Sequence, residues 1–162
     1  MANSSNETVL YPFTAFNFSV EISVKAIGPQ LCSAAFSECD GLEMTMEAKT
    51  IREGGNNGAQ IRMVGPRAYG QLTLKRGMTA NFDLWEWFDA FLESPVRDMR
   101  EDLRGDAHIV ILAPDGKTER AKFLAKRCLP VKLKAPPLNG KDGMVAIEEL
   151  QLAYESLALE RT

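Results

Sequence analysis

Few side chains in this sequence have the type and spacing to do chemistry. They are one histidine, His108; three cysteines, Cys32, Cys39 and Cys128; the acidic groups Glu148/Glu149 and Asp98/Glu101/Asp102; and the glycine-rich stretch Arg52-Glu53-Gly54-Gly55-Asn56-Asn57-Gly58. A histidine held by a carboxylate beside a serine or cysteine supports nucleophilic catalysis, but His108 opens an apolar run with no such motif next to it and reads as structural. Three cysteines without a CxxC pair, and a single histidine, fall short of a zinc site; reduced thiols, packed or partly exposed, are the main reading, with redox or metal use as the other. Paired carboxylates act as acid and base when an apolar setting drives their pKa values apart. Neither acidic group has that setting, so both read as solvated or bound to basic neighbours. The glycine-rich stretch is neither GxGxxG nor a Walker A loop, and it lacks the Lys-Ser/Thr pair and following helix that cradle a phosphate. No catalytic residue, cofactor or metal is assigned, and the chain does not read as an enzyme.

The same glycine-rich stretch is informative about shape. Leu42, Met44, Met46 and Ala48 alternate with Glu43, Thr45, Glu47 and Lys49, the period of a strand with one sheltered face. Ile61/Met63 and Leu72/Leu74 alternate with polar residues on the way back. A long β-hairpin arm over 42–76 is expected, with its tip at Arg52–Gly58, where glycine and asparagine reach positive φ cheaply. Ordering Glu53–Gly58 costs on the order of 6–12 kcal/mol at ~1–2 kcal/mol per residue, and nothing apolar in the tip offsets it. The arm reads as an assembly element that orders against a neighbour.

The remaining elements frame that arm. Phe16, Phe18, Val20, Ile22 and Val24 mark a first strand with one buried face, stopped by Gly28-Pro29, and a shorter strand is expected around Ser33–Cys39. Leu84, Trp87, Phe88 and Phe91 fall at i, i+3, i+4 and i+7, a helix with Asn81 as N-cap and Asp83 in its first turn. Trp85 and Leu92 widen its apolar arc, so it either plugs the sheet or sits in a subunit interface. Pro95 ends the helix, and 96–104 is open between a second helix and a charged loop. His108–Leu112 is a strand, Pro114-Asp115-Gly116 a turn, Lys117–Val131 a returning strand and Ala135-Pro136-Pro137 a stiff connector. In the last strand Val145 and Ile147 are out of phase with Leu150, Leu152 and Tyr154, which predicts a β-bulge near Glu148-Glu149.

The 162 residues fit one domain, 1–162, with a flexible lead over 1–10. A net charge of −3 argues against a dedicated nucleic-acid binder. No apolar run approaches the ~20 residues of a membrane span, so stable membrane insertion is not expected. The first residues lack a signal-peptide pattern, which points to synthesis in the cytoplasm.

Six segments, in order, resemble the tail tube protein family of contractile phages and related contractile injection systems. They are Phe16-Asn17-Phe18-Ser19-Val20-Glu21-Ile22; Phe36-Ser37-Glu38 with Gly41-Leu42-Glu43; Arg52-Glu53-Gly54-Gly55-Asn56-Asn57; Leu74-Lys75-Arg76-Gly77; Leu84-Trp85-Glu86-Trp87; and Pro130, Pro137-Leu138 and Val145–Leu150 with Leu152. Two departures stand out: a charged Met99–Arg104 segment and Cys39-Asp40 ahead of Gly41.

The resemblance implies a mainly β fold, an antiparallel β-sandwich or barrel with one packed α-helix and the long hairpin arm. It implies hexameric rings stacked into a rigid hollow tube, four strands per subunit lining the lumen, a surrounding sheath protein, baseplate or initiator and terminator partners, and DNA or protein cargo. The particle is a phage virion tail or an injection device. Under that reading Arg52, Glu53, Gly54, Gly55, Asn56, Asn57 and Gly58 contact the adjacent ring. Arg52, Glu53, Lys75 and Arg76 either fix ring register by charge-assisted hydrogen bonds or are solvated hairpin charges. The alternatives are a tube initiator at the baseplate and, from another class, a small-ligand-binding β-barrel with Trp85, Trp87 and Phe88 lining its pocket.

Overall fold

The computed structural model describes residues 11–32, 35–94 and 102–161. The chain runs β1 (Phe18–Val24), β2 (Gly28–Cys32), β3 (Glu38–Asp40), β4 (Met44–Ile51), β5 (Ile61–Tyr69), β6 (Gln71–Gly77), α1 (Asp83–Glu93), β7 (Gly105–Leu112), β8 (Glu119–Lys134), β9 (Ile147–Ala153) and β10 (Ser156–Glu160). All strand pairings are antiparallel, in the order β2-β1-β7-β8-β9-β6-β3, with β10 also on β8 and β4-β5 forming a separate pair. The fold is mainly β, and α1 is the one α-helix among the elements given for the described residues, as the sequence patterns imply.

β8 joins two halves of the sheet. Its first part, through Cys128, pairs with β7, and Leu129–Lys134 pair with β9. The strand turns the corner at Arg127, whose φ of 56° is left-handed and whose N–H donates to Asp106 Oδ1 at 3.1 Å. Folding the halves together brings Val20, Ile22 and Ile109 against Leu72, Leu74, Leu150 and Leu152 in one core.

Helix α1 lies against β2 and β8 and puts Leu84 and Trp87 into that core. Trp87 is fully buried, and its Nε1–H donates to the Leu103 carbonyl at 2.7 Å, so burial leaves no polar atom unpaired. The plug reading of the helix therefore holds, while Leu92 is 68% exposed and outside the buried arc. The cap position is Phe82 rather than Asn81. Asn81, one position upstream, still accepts the Asp83 N–H on its Oδ1 at 3.3 Å.

Several boundaries differ from the sequence expectations. Gly28-Pro29 begins β2 rather than ending β1, because the reversal is made by 25–27. Ser33–Cys39 is not one strand: 33–34 lie outside the described residues, and β3 occupies Glu38–Asp40. Phe16 precedes β1 and is exposed. The question of helix or loop over 96–104 falls largely on 95–101, outside the described residues, as does the lead over 1–10.

The bulge expected near Glu148-Glu149 is absent. β9 pairs with β6 in unbroken register from Ile147↔Gly77 to Ala153↔Gln71. Glu148 is itself buried and shares the inner face with Leu150 and Leu152, so Val145 and Ile147 lie on the outer side without a phase change. The irregularity sits on the neighbouring strand, between Pro130 and Lys132 of β8.

Candidate assembly surface: the arm, its root and the sheet edges

β4 and β5 pair only with each other and stand off the main sheet. At about 3.3 Å per residue, the eight residues of β4 span roughly 26 Å. The expected sheltered face is not sheltered in the single chain: every residue of β4 is exposed. Register explains why one chain cannot cover it. Met46 faces Arg67 while Ala48 faces Val64, so β5 carries a bulge at Gly65-Pro66. Gly65 fits there because a Cβ would lie 2.0 Å from the Glu47 carbonyl oxygen.

The bulge switches the phase of β5. Cross-strand partners share a face, so Met44, Met46 and Val64 lie on one side near the root. Ile51, Ile61 and Met63 lie on the other, toward the tip. All six are exposed, Val64 at 77%. The arm thus offers apolar surface on both faces, and completing that burial contributes on the order of 5–10 kcal/mol at about 25 cal/mol per Å2. That is comparable to the cost of ordering the tip.

The structure gathers Arg52–Gly58 at the exposed tip. Gly55 has φ 93°, Asn56 N–H donates to the Glu53 carbonyl at 3.3 Å, and Asn56 Oδ1 accepts from the Gly58 N–H at 3.3 Å. Lys75 and Arg76 are elsewhere, on β6 beyond the root. Lys75 Nζ lies 3.1 Å from Glu38 Oε2 on the outer face of the sheet, and that hydrogen bond raises its pKa. Arg76 points inward and is 2% exposed. Its Nε bonds to Glu148, its Nη2 lies 2.6 Å from Asp83 Oδ1, and Trp85 Nε1–H donates to Glu148 Oε2 at 3.1 Å. This cluster ties the start of α1 to β6 and β9. Trp85 and Trp87 are engaged in it and in the core, which overturns the reading of them as walls of a ligand pocket.

The root was not visible in the sequence. Gly41 has φ 95°, and a Cβ there would sit 1.8 Å from the Gln71 carbonyl oxygen. The Tyr154 hydroxyl contacts the Gly41 and Glu43 carbonyls and accepts from the Glu43 N–H at 3.2 Å, while its ring lies 5.7 Å from that of Tyr69. Burial raises the Tyr154 pKa, so the phenol stays protonated.

Burial pushes the thiols of both Cys39 and Cys128 up to about 12, the reverse of an activated nucleophile. Among the described residues no group of His, Cys, Asp or Glu could hold a metal ion, and no helix is long and apolar enough to cross a membrane.

The chain is β-rich and projects a two-stranded arm with apolar side chains exposed on both faces. It belongs to the T4-like virus tail tube protein gp19 family, whose profile matches residues 14–158. Proteins of this family are structural tube components rather than enzymes. No curated protein matches the sequence.

Among solved structures, the chain is similar to one in the 6-fold symmetrised anti-feeding prophage baseplate, with TM-score 0.77 and 23% identity over 94% of this chain and 98% of that one. A chain from the anti-feeding prophage tube-terminating cap superposes with TM-score 0.78 and 19% identity over the whole of both chains. A chain from the PVC sheath–tube complex of an extracellular contractile injection system, in the extended state, gives TM-score 0.77 and 17% identity, again over both whole chains. At these identities the likeness establishes a shared fold.

Proposed function

We propose that this protein is the repeating subunit of the rigid inner tube of a contractile tail or injection machine. Six copies close into a ring, and rings stack into a hollow tube through which DNA or protein cargo passes. A sheath surrounds the tube, a baseplate or initiator starts it and a terminator ends it. The subunit is assembled into a phage virion tail or an injection particle, and its task is mechanical.

The observation that carries this reading is the arm. A two-stranded element with large apolar side chains exposed on both faces fits insertion between neighbouring copies. Membership of the tail tube family supplies the kind of assembly. The tip, Arg52–Gly58, contacts the adjacent ring, with Arg52 and Glu53 as its charged members. Lys75 and Arg76 hold the sheet and helix from which the arm projects.

The test is negative-stain electron microscopy of the purified protein over a concentration series. Stacked six-fold rings or hollow tubes are the expected result. Rings that never stack identify a tube initiator instead, and dispersed monomers at high concentration overturn the assembly reading.

A further inference from the structure

Resting on the ring reading above, we propose that Glu38 and Asp40 on one edge of the sheet, and Lys132 and Lys134 on the other, form a charge code that selects and registers the lateral contact between two copies of this chain. The four-stranded half of the sheet, β8-β9-β6-β3, has two unpaired edges among the described residues. β3 pairs with β6 alone. β8 is flanked by β7 only through Cys128, so Leu129–Lys134 have β9 on one side and no strand on the other. Pro130, which lacks an N–H, is tolerated on such an edge.

The registers define two rows across the outer face. One runs Glu38, Lys75, Glu149, Lys134, and the next Asp40, Thr73, Gln151, Lys132. Within the first row the charges alternate. At the margins they segregate: both residues at the β3 edge are acidic, both at the β8 edge are basic, and each pair has the two-residue spacing of one strand face. Neither lysine has an ion-pair partner among the described residues.

β3 runs antiparallel to β6, β6 to β9 and β9 to β8, so β3 and the end of β8 are mutually antiparallel. Copies related by rotation about an axis along the strands then meet edge to edge as an antiparallel pair. Such a contact is heterologous and closes into a ring. It continues the alternation of the first row from Lys134 to Glu38 of the next copy. Like charges facing across strands are unfavourable, so the reverse contacts, β3 on β3 or β8 on β8, are disfavoured by the same four residues. Open edges are thereby directed toward one partner.

The test uses two variants of the full chain. Lys132→Glu/Lys134→Glu makes both edges acidic, and Glu38→Lys/Asp40→Lys makes both basic. With circular dichroism confirming each fold, each variant alone is expected to need about tenfold or more higher concentration to form rings. An equimolar mixture recovers rings in which native mass spectrometry finds the two species in equal number. Either variant forming rings as readily as wild type, or folded variants whose mixture stays dispersed, overturns the charge code while the ring reading stands. A wild type that forms no rings overturns both.

A cross-link gives an independent readout. Glu38 and Lys134 are three strand spacings apart within a chain, roughly 14 Å, beyond the reach of a disulfide. In Glu38→Cys/Lys134→Cys, oxidised rings are expected to yield a covalent ladder of up to six chains, and assembled rings without a ladder refute the seam.

Discussion

The hydroxyl of Tyr154 lies 2.8 Å from the carbonyl oxygen of Gly41, joining the turn between β9 and β10 to the root of the arm across 113 residues of sequence. The Tyr154 hydroxyl oxygen also accepts the Glu43 N–H, so one side chain satisfies backbone groups on both sides of the bend where the arm leaves the sheet. Tyr154→Phe removes these bonds with little change of shape. The expected cost is about 1–2 kcal/mol, or a melting temperature lower by roughly 2–8 °C for a chain of this size, with faster amide exchange over 41–46. Unchanged exchange there would show that the root is held by packing alone. Gly41→Ala acts through the backbone, and strain at positive φ plus the clash with Gln71 is expected to cost about 3 kcal/mol or more.

Arg76 and Glu148 form a pair at 2% and 1% exposure. Taking one partner away leaves the other charge buried. Arg76→Met is therefore expected to destabilise by about 3–5 kcal/mol, and Arg76→Met/Glu148→Leu by less than that single change, because the double variant no longer buries the Glu148 carboxylate without its cation. Urea unfolding of the four members of this cycle measures the coupling. Additive effects would mean the pair contributes nothing beyond its separate contacts.

The buried pair also explains what sequence pattern could and could not reveal. β1, β7 and the core face of α1 were legible because Val20, Ile22, Ile109, Leu84 and Trp87 repeat at the period of their element and face one core. The phase of β9 was misread because an inward glutamate looks like an outward one until its arginine, 72 residues away, is known. Val145 and Ile147 were then assigned to the core by hydrophobicity, which does not distinguish core from an uncovered outer side. The bulges at Gly65-Pro66 and Pro130–Lys132 each involve a proline, a signal that a strand ladder is interrupted there. The tip, Arg52–Gly58, was legible because its composition is conformational rather than chemical. The inward turn of Arg76 was not, since alternation separates two faces without naming the inner one.

The cysteines give a pH prediction. Folding raises the thiol pKa of Cys39 and Cys128 from 9.0 to about 12 through burial. The neutral thiol is favoured in the fold, so this contribution is complete below pH 9 and is lost as pH rises toward 12. Stability is expected to fall over that window, and less so in Cys39→Ala/Cys128→Ala measured against its own value at pH 7. Ellman's reagent at pH 8 should leave the Cys128 thiol unmodified in the folded protein. Rapid modification of Cys128 without unfolding would contradict its burial.

At the acid end, the Asp115 carboxylate is held at a pKa of about 2, down from 3.8, by the Thr118 hydroxyl and then by the N–H groups of Thr118 and Lys117. A depressed carboxylate pKa stabilises above the unfolded value and loses that contribution as pH falls through the folded one. The turn between β7 and β8 is expected to loosen between about pH 4 and pH 2. The Lys117 and Thr118 amide resonances report it by NMR, and Asp115→Asn, which cannot titrate, should flatten the profile.

Deleting Glu53–Gly58 separates the arm's two tasks. None of these residues contributes to the core, and Ile51 and Ile61 already pair at the arm's end, so the shortened chain is expected to fold with a melting temperature within a few degrees of wild type. The lateral edges are untouched, so rings should still close. Stacking is expected to fail or to give tubes much shorter than wild type, because the tip that reaches the adjacent ring is gone. Tubes of normal length from the deletion would move the inter-ring contact to the apolar faces of β4 and β5. Replacing Met46 and Val64 on one face, and Ile61 and Met63 on the other, with serine would then show which face bears on the neighbour.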